Sequence, residues 1–222
     1  MGRLVQLTDL HLGETAGEWL RGCPVFANFR RVWQAALALM PDWILITGDV
    51  SDQGGKASYE LFHSVIEGST VPVFVMYGNH DWGQCWRLPP VLALGRWHLL
   101  CLDSATGSVE LATARSHLKR HIHHPTLLAL HHHPMAIKEP GLLWLNQLRL
   151  ENGAELMALA GKFPQVRGIV FGHTHRCFAA TMGHYQLLGT PATGFQEWQG
   201  RCGFRVIDLR DDGTLCTEVR GV

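Results

Sequence analysis

The sequence RLVQLTDLHLG, residues 3–13, joins a short apolar run to a polar turn that carries Asp9 and His11. The apolar run has the length and composition of a β-strand. A stretch with apolar residues at helical spacing follows at 26–40, and a second apolar run of strand length lies at 42–47. The start of the chain therefore predicts a strand, a helix and a strand, the basic unit of an α/β fold.

The same order continues through most of the chain. Further strands are predicted at 71–76, 97–102, 126–130 and 166–171, and further helices at 58–66, 110–121 and 152–162. The tail has three apolar runs separated by Gly-rich or Asp-Gly turns, which predict antiparallel strands at 185–188, 204–209 and 215–219.

Polar clusters follow the predicted strands directly. These clusters are Gly48-Asp49, GNHD at 78–81, HHHP at 131–134 and GHTH at 172–175. In α/β sheets, ligands bind beyond the carboxyl ends of the strands. We therefore expect these clusters to meet Asp9 and His11 in space and to form the functional site.

Composition limits the class of protein. The chain has 222 residues, of which 46% are apolar and 17% charged, so we predict one compact domain that spans residues 1–222. Lys plus Arg number 19 and Asp plus Glu number 19, which leaves no positive field for nucleic acid. No apolar stretch approaches the about 20 residues of a membrane span, and no secretory signal is visible. Six cysteines without a CxxC pair favour reduced thiols and a cytoplasmic location.

The side chains at the strand ends form a typical metal-ligand set. They comprise Asp9, His11, Asp49, Asn79, His132, His173 and His175. This number of oxygen and nitrogen donors suits two borderline cations about 3.5 to 4 Å apart, with Asp49 as the bridge. The set contains no cysteine, which favours Fe, Mn, Zn or Co in an open catalytic site over a structural zinc site.

Each motif alone also has an ordinary structural explanation. Asp9 could cap a helix and His11 could be a partly buried core residue. Gly48-Asp49 and GNHD could be plain turns, since Gly, Asn and Asp are common turn residues. GHTH is more informative, because two histidines one residue apart at a strand end can reach one metal cluster. The order of the motifs favours the metal site.

These motifs resemble those of the calcineurin-like metallophosphoesterases. The matching patterns, in order, are DxH, GD, GNHD, a histidine two residues before proline and GHxH, over residues 3–209. Three further stretches are similar to the class III cyclic-nucleotide phosphodiesterases: LALHHHPM at 128–135, WLNQLRLENGAEL at 144–156 and GTPATGFQ at 189–196. The resemblance implies a four-layer α/β/β/α sandwich.

The resemblance also implies a role for each residue. The first metal ion would be held by Asp9, His11, Asp49 and His175, and the second by Asp49, Asn79, His132 and His173. In the HHHP run, the family pattern selects the histidine two residues before Pro134, which is His132. His80 would assist departure of the leaving oxygen, with Asp81 to orient it. Substrate would contact His11, Asp49, Asn79, His80 and His175.

The expected activity is hydrolysis of 3′,5′-cyclic AMP, or a related cyclic nucleotide, to the 5′-monophosphate by a hydroxide that bridges two Fe, Mn or Zn ions. The alternatives are another phosphoesterase, namely a general phosphodiesterase, a nucleotide pyrophosphatase or a glycerophosphodiesterase, and a protein-interaction scaffold without activity. The segment 103–125 departs from the family pattern, so we expect a different wall on the substrate side. A homodimer is the assembly to test.

Overall fold

A computed structural model describes residues 1–82 and 88–222. Its strands are β1 Gly2–Leu7, β2 Trp43–Thr47, β3 Val73–Met76, β4 Val91–Leu94, β5 Trp97–Cys101, β6 Thr126–Ala129, β7 Val166–Phe171, β8 Phe178–Met182, β9 Tyr185–Gly189, β10 Gly203–Leu209 and β11 Leu215–Gly221. Its α-helices are α1 Val25–Leu37, α2 Lys56–Ile66, α3 Leu111–Arg120 and α4 Gly153–Ala160, and a 3-10 helix covers Pro140–Leu148.

The strands form two sheets. The first has the order β11-β10-β1-β2-β3, with β1, β2 and β3 parallel and β10 and β11 antiparallel. The second has the order β4-β5-β6-β7-β9-β8, with β5, β6, β7 and β9 parallel and the edge strands β4 and β8 antiparallel. Parallel strands need crossover connections, which the helices supply.

The alternation of side chains along each strand produces three buried layers. Val5 on β1 shares a core cluster with Phe29 of α1, whereas the next residue back, Leu4, shares one with Leu127 of β6. Leu128 faces the opposite way and packs in the cluster that contains residues of α3 and α4. The helices thus cover the outer faces of two stacked sheets. The predicted α/β/β/α sandwich is confirmed.

Several predicted elements differ from the observed ones. The predicted helix 26–40 ends at Leu37, before Pro41. The tail strands are antiparallel to a neighbour as predicted, β9 to β8 and β10 to β11, but they lie in different sheets and β9 also runs parallel to β7. The sequence prediction missed β4, β8 and the 3-10 helix. Within the described ranges, no helix has the length and apolar character needed to cross a membrane.

Candidate metal centre

The loops after β1 and β2 are tied together by backbone hydrogen bonds. The N–H of Asp9 donates to the carbonyl oxygen of Gly48 at 3.0 Å, and the N–H of His11 donates to that of Asp49 at 2.9 Å. This pairing extends the parallel register beyond the strands. It places Nε2 of His11 3.5 Å from Oδ2 of Asp49.

The loop after β7 joins this pair from the other sheet. The N–H of His173 donates to Oδ2 of Asp9 at 2.9 Å, and Nε2 of His175 lies 3.4 Å from Oδ1 of Asp9. Both histidines belong to the GHTH motif. The strand ends of the two sheets therefore meet at the Asp9 carboxylate, as the convergence prediction required.

A second group of side chains surrounds His131. Its Nε2 lies 3.2 Å from Oδ2 of Asp49, 3.1 Å from Oδ1 of Asn79 and 3.1 Å from Nδ1 of His173. Its Nδ1 donates to the carbonyl oxygen of Thr47 at 2.8 Å, because a carbonyl can only accept. Asp49 thus contacts histidines of both groups.

The structure places His131, rather than the predicted His132, beside Asp49. Residues 127 and 129 of β6 face the other sheet, and this alternation continues beyond the strand to His131. His132 instead lies with Nδ1 3.2 Å from Oγ of Ser104. The position assigned to His132 by its distance from Pro134 is therefore occupied by His131.

The backbone of this centre is unusual. Of eight non-glycine residues with positive φ in the described chain, five are predicted ligands: Asp9, His11, Asp49, His173 and His175. Side chains with a Cβ rarely adopt this conformation, and such strain concentrates at functional sites. Two glycines make room for the carboxylates, since a Cβ on Gly78 would collide with Asp49 and one on Gly172 with Thr8 and Asp9.

The donor set fits two metal ions. Asp9, His11 and His175 each offer a ligand atom within 4.8 Å of one another, and so do Asp49, His131 and His173. In the described part of the chain, Nε2 of His11 and Nε2 of His173 are buried without a hydrogen-bond partner. Buried polar atoms of this kind need a partner, and a cation would provide one. The first group contains three of the side chains predicted for one ion, and the second contains Asp49, His173 and, in place of His132, His131.

Two carboxylates that the sequence prediction missed fix the orientation of the histidine rings. Nδ1 of His11 lies 3.0 Å from Oδ1 of Asp52, and Nδ1 of His175 lies 3.1 Å from Oε2 of Glu197. In each case the second ring nitrogen, Nε2, is directed at the centre. A carboxylate behind a metal-binding imidazole fixes its tautomer and increases its basicity. Asp52 lies only three residues after Asp49, whereas no sequence signal distinguishes Glu197.

His80 lies at the edge of the centre, held on two sides. Its backbone N–H donates to Oδ1 of Asp49 at 2.9 Å, and its Nδ1 donates to the carbonyl oxygen of Asp52 at 2.7 Å. The Nε2 atom is thereby left available for other partners. The group that orients the His80 ring in the structure is the Asp52 carbonyl.

Asp81 has a different position from the one predicted. Its carboxylate accepts hydrogen bonds from the backbone N–H groups of Val50, Ser51 and Gly78 and from the Tyr59 hydroxyl, at 2.9 to 3.1 Å. Burial raises the pKa of Asp81. These contacts join the loops after β2 and β3, so Asp81 shapes the centre through the backbone.

Comparison with known proteins agrees with this geometry. The family model described as calcineurin-like phosphoesterase matches residues 2–177. The chain belongs to this family. The family and the clustered Asp and His side chains together indicate a phosphoesterase with two metal ions. The extent of the domain, residues 1–222, stays a prediction.

Relatives of this phosphoesterase include cyclic-nucleotide phosphodiesterases. The chain is 29% identical to a 3′,5′-cyclic-nucleotide phosphodiesterase of Nostoc sp., with 99% of this chain and 92% of the relative covered. It is 31% identical to the 3′,5′-cyclic adenosine monophosphate phosphodiesterase CpdA of Escherichia coli, with 98% and 88% covered. A dimetal phosphatase from Danio rerio shares the fold, with a TM-score of 0.74 at 11% identity over 99% of this chain and 96% of that one.

The charges of the centre are strongly coupled. Burial alone would raise the pKa of Asp9, but His175 lowers it to about 2, and His131 and His11 likewise lower the pKa of Asp49. Burial alone would lower the pKa of His131 and His175, but Asp49 and Asp9 raise these values to about 9 and about 10. Without metal ions, the phosphoesterase therefore holds ionised carboxylates against protonated imidazoles at neutral pH.

The centre opens into a cavity of about 360 Å³. All five residues predicted to contact substrate line it, namely His11, Asp49, Asn79, His80 and His175. The remaining surface, here called the cavity wall, includes Arg21, Trp144, Leu145, Leu148, Arg176 and Glu197. In the described chain the segment 103–125 contributes no lining residue. The 3-10 helix contributes Trp144, Leu145 and Leu148 to the lining, and the different substrate wall expected from the short segment 103–125 stays a prediction.

Proposed function

We propose that this phosphoesterase hydrolyses 3′,5′-cyclic AMP to 5′-AMP with two metal ions. The observation that carries the proposal is the position of Asp49. Its carboxylate lies beside His11 of one ligand group and beside His131 of the other. A carboxylate between two cation sites is the arrangement of two-metal phosphoester hydrolysis. The names of two relatives that cover nearly the whole chain support the cyclic nucleotide as substrate.

The metal ligands follow from the two groups. Asp9, His11, Asp49 and His175 would hold one ion, and Asp49, Asn79, His131 and His173 the other. When bound, the ions supply Lewis acidity for the phosphate and an activated water for attack on phosphorus. Asp52 and Glu197 keep the His11 and His175 rings turned toward the centre. Iron, manganese and zinc all suit these oxygen and nitrogen donors.

His80 is the proposed acid for the leaving 3′-oxygen. Its hydrogen bond to the Asp52 carbonyl fixes the proton on Nδ1, so Nε2 is the atom that would carry a second proton to the substrate. Its backbone contact to Asp49 keeps the ring beside the bridging carboxylate. A positioned proton donor of this kind contributes about 10² to 10⁴ in rate.

The substrate enters a cavity whose charged groups suit a phosphodiester. Arg21 and Arg176 provide positive charge at the cavity wall, and Trp144 provides an aromatic surface beside it. We propose a small-molecule substrate and no nucleic-acid partner, since the net charge is zero. The unpaired thiols of Cys23, Cys101, Cys177, Cys202 and Cys216 support action in the reducing cytoplasm. The homodimer stays a prediction.

Release of 5′-AMP from cyclic AMP by protein loaded with Mn²⁺ or Fe²⁺ tests the proposal. Bis(p-nitrophenyl) phosphate and p-nitrophenyl phosphate serve as the comparison diester and monoester. We expect turnover of cyclic AMP that falls about 10²-fold or more in His80→Ala, with metal content unchanged. His123→Ala, on the exposed segment after α3, is the matched control.

Three outcomes would separate the alternatives. Cleavage of bis(p-nitrophenyl) phosphate without turnover of cyclic AMP would mean that the substrate is another phosphodiester. It would leave the proposed metal centre unchanged. Equal activity of His80→Ala and wild type would remove His80 from its role. A protein that binds no metal and cleaves none of the three compounds would be the interaction scaffold.

A further inference from the structure

A second cavity lies next to the metal centre and has a different character. Its volume is about 570 Å³, within the range of small-molecule sites. Most of its surface is apolar, from Met135, Ile137, Leu142, Met157, Phe178 and Leu187. Water in such a cavity finds few hydrogen-bond partners, so an apolar group is the better occupant.

The two cavities share part of their lining. Thr174 and Arg176 line both, and both residues belong to the loop that carries His173 and His175. The 3-10 helix also borders both cavities, with Leu142 in the apolar one and Trp144 in the other. The two cavities therefore lie side by side along this loop.

The charged groups around the apolar cavity favour an anion. Arg176 and Lys138 belong to its lining, together with the carboxylate of Glu139. Nη1 of Arg176 donates to the backbone carbonyl oxygen of Glu197, a lining residue of the metal-centre cavity, at 3.0 Å. A phosphodiester carries one negative charge at neutral pH, so its charge matches this position.

We propose that the apolar cavity binds an apolar ester group, so that the protein also hydrolyses phosphodiesters with one alkyl or aryl arm. This inference rests on the proposed phosphodiesterase function of the neighbouring centre. In an alkyl p-nitrophenyl phosphate, the oxygen of water forms the new bond to phosphorus. The bond from phosphorus to the phenolic oxygen breaks. The products are p-nitrophenolate, the alkyl phosphate monoester and the proton released from water.

A series of methyl, butyl and octyl p-nitrophenyl phosphates tests the proposal. Each buried methylene contributes up to about fourfold in binding. We expect kcat/KM of the metal-loaded wild type to rise at least about tenfold from the methyl to the octyl ester. In Ala180→Trp the added indole fills the cavity, and the octyl-to-methyl ratio should fall to near one.

Ala179→Trp is the matched control, because neighbouring residues on β8 point to opposite faces and Ala179 is exposed outside the cavity. It should retain the wild-type ratio. Ala136→Trp, on the exposed loop that also lines the cavity, is a second filling variant if Ala180→Trp does not fold. Two results would overturn the inference. One is an octyl-to-methyl ratio of kcat/KM near one in wild type. The other is a ratio equal to that of wild type in a folded variant whose cavity is filled.

A binding measurement separates this inference from the proposed function. The fluorescent apolar anion 1-anilinonaphthalene-8-sulfonate is titrated into metal-free protein, where no turnover occurs. We expect saturable binding by wild type and Ala179→Trp and at least about tenfold weaker binding by the filled variant. Absence of saturable binding would overturn the apolar subsite. Binding without hydrolysis of any ester would instead contradict the phosphodiesterase function.

Discussion

The ligand loops and the cavity wall differ in how firmly the fold holds them. Asp9 and Asp49 are 0% and 2% exposed, and hydrogen bonds from neighbouring backbone groups fix both carboxylates. By contrast, Trp144 and Leu148 of the cavity wall are 57% and 46% exposed. The metal centre is thus part of the core, whereas these side chains of the cavity wall lie outside it. The chemistry and the choice of substrate can therefore change separately.

The largest effect should come from Asp49, the residue that joins the two ligand groups. Asp49→Asn removes the negative charge between His11 and His131. We expect kcat/KM to fall by about 10³ or more and metal content to drop below two ions per chain. Metal analysis and diester kinetics measure these changes, with the exposed Asp103→Asn as control. Two retained ions and full activity would show that Asp49 is no bridge.

Asp81 tests whether the ligand loops depend on the buried hydrogen-bond network. Asp81→Ala removes the acceptor of three buried backbone N–H groups, so we expect the free energy of unfolding of the metal-free protein to fall by about 3 kcal/mol or more. Urea denaturation measures this change, and Asp103→Ala controls for loss of a surface carboxylate. A loss below about 0.5 kcal/mol would mean that other contacts hold these loops.

The pKa values of His131 and His175 predict how metal affinity depends on pH. Both are protonated at neutral pH in the metal-free protein, because Asp49 and Asp9 raise their pKa to about 9 and about 10. Metal binding must displace one proton in each ligand group, so affinity should rise with pH about tenfold per unit from pH 6 to 8. Competition with a chromophoric chelator measures it. A flat profile would contradict these protonation states.

Glu197 lies where the two regions meet, since it lines the cavity and contacts His175. Glu197→Gln keeps the size of the side chain but removes the charge behind the ring. Metal affinity should fall about tenfold or more, as for other partners of metal-binding histidines. Isothermal titration with Mn²⁺ detects this loss, with the exposed Glu218→Gln as control. Equal affinities of both variants would assign Glu197 to the cavity wall alone.

The smallest effect should come from the cavity wall itself. Trp144→Ala should raise KM about fivefold, because a partly buried aromatic contact contributes about 1 kcal/mol, while kcat and metal content stay unchanged. Leu143→Ala is the matched control, being exposed on the same 3-10 helix but outside the cavity lining. A large loss of kcat would show that Trp144 contributes to the chemical step, and that the cavity wall and the metal centre do not act separately.

The sequence predicted the ligand loops better than the wall for a physical reason. Strand ends can be located from local apolar runs, and ligand types follow them directly, as at Asp49 and at GHTH. His131 was missed because the ligand in the HHHP run was chosen by its distance from Pro134. The alternation of side chains along β6 was not used for this choice. Glu197 was missed because its contact with His175 spans 21 intervening residues and depends on tertiary packing. The 3-10 helix lacked a clear helical spacing.

Five predicted metal ligands have positive φ, and this backbone conformation connects the stability of the protein to the supply of metal ions. Each such conformation costs about 1 kcal/mol or more, so the centre holds local backbone strain. Metal ions bind the folded chain and thereby stabilise it against unfolding. Under metal starvation, chains without ions would unfold more often and be removed first by proteolysis. The cellular amount of this phosphoesterase would then follow the availability of its metal.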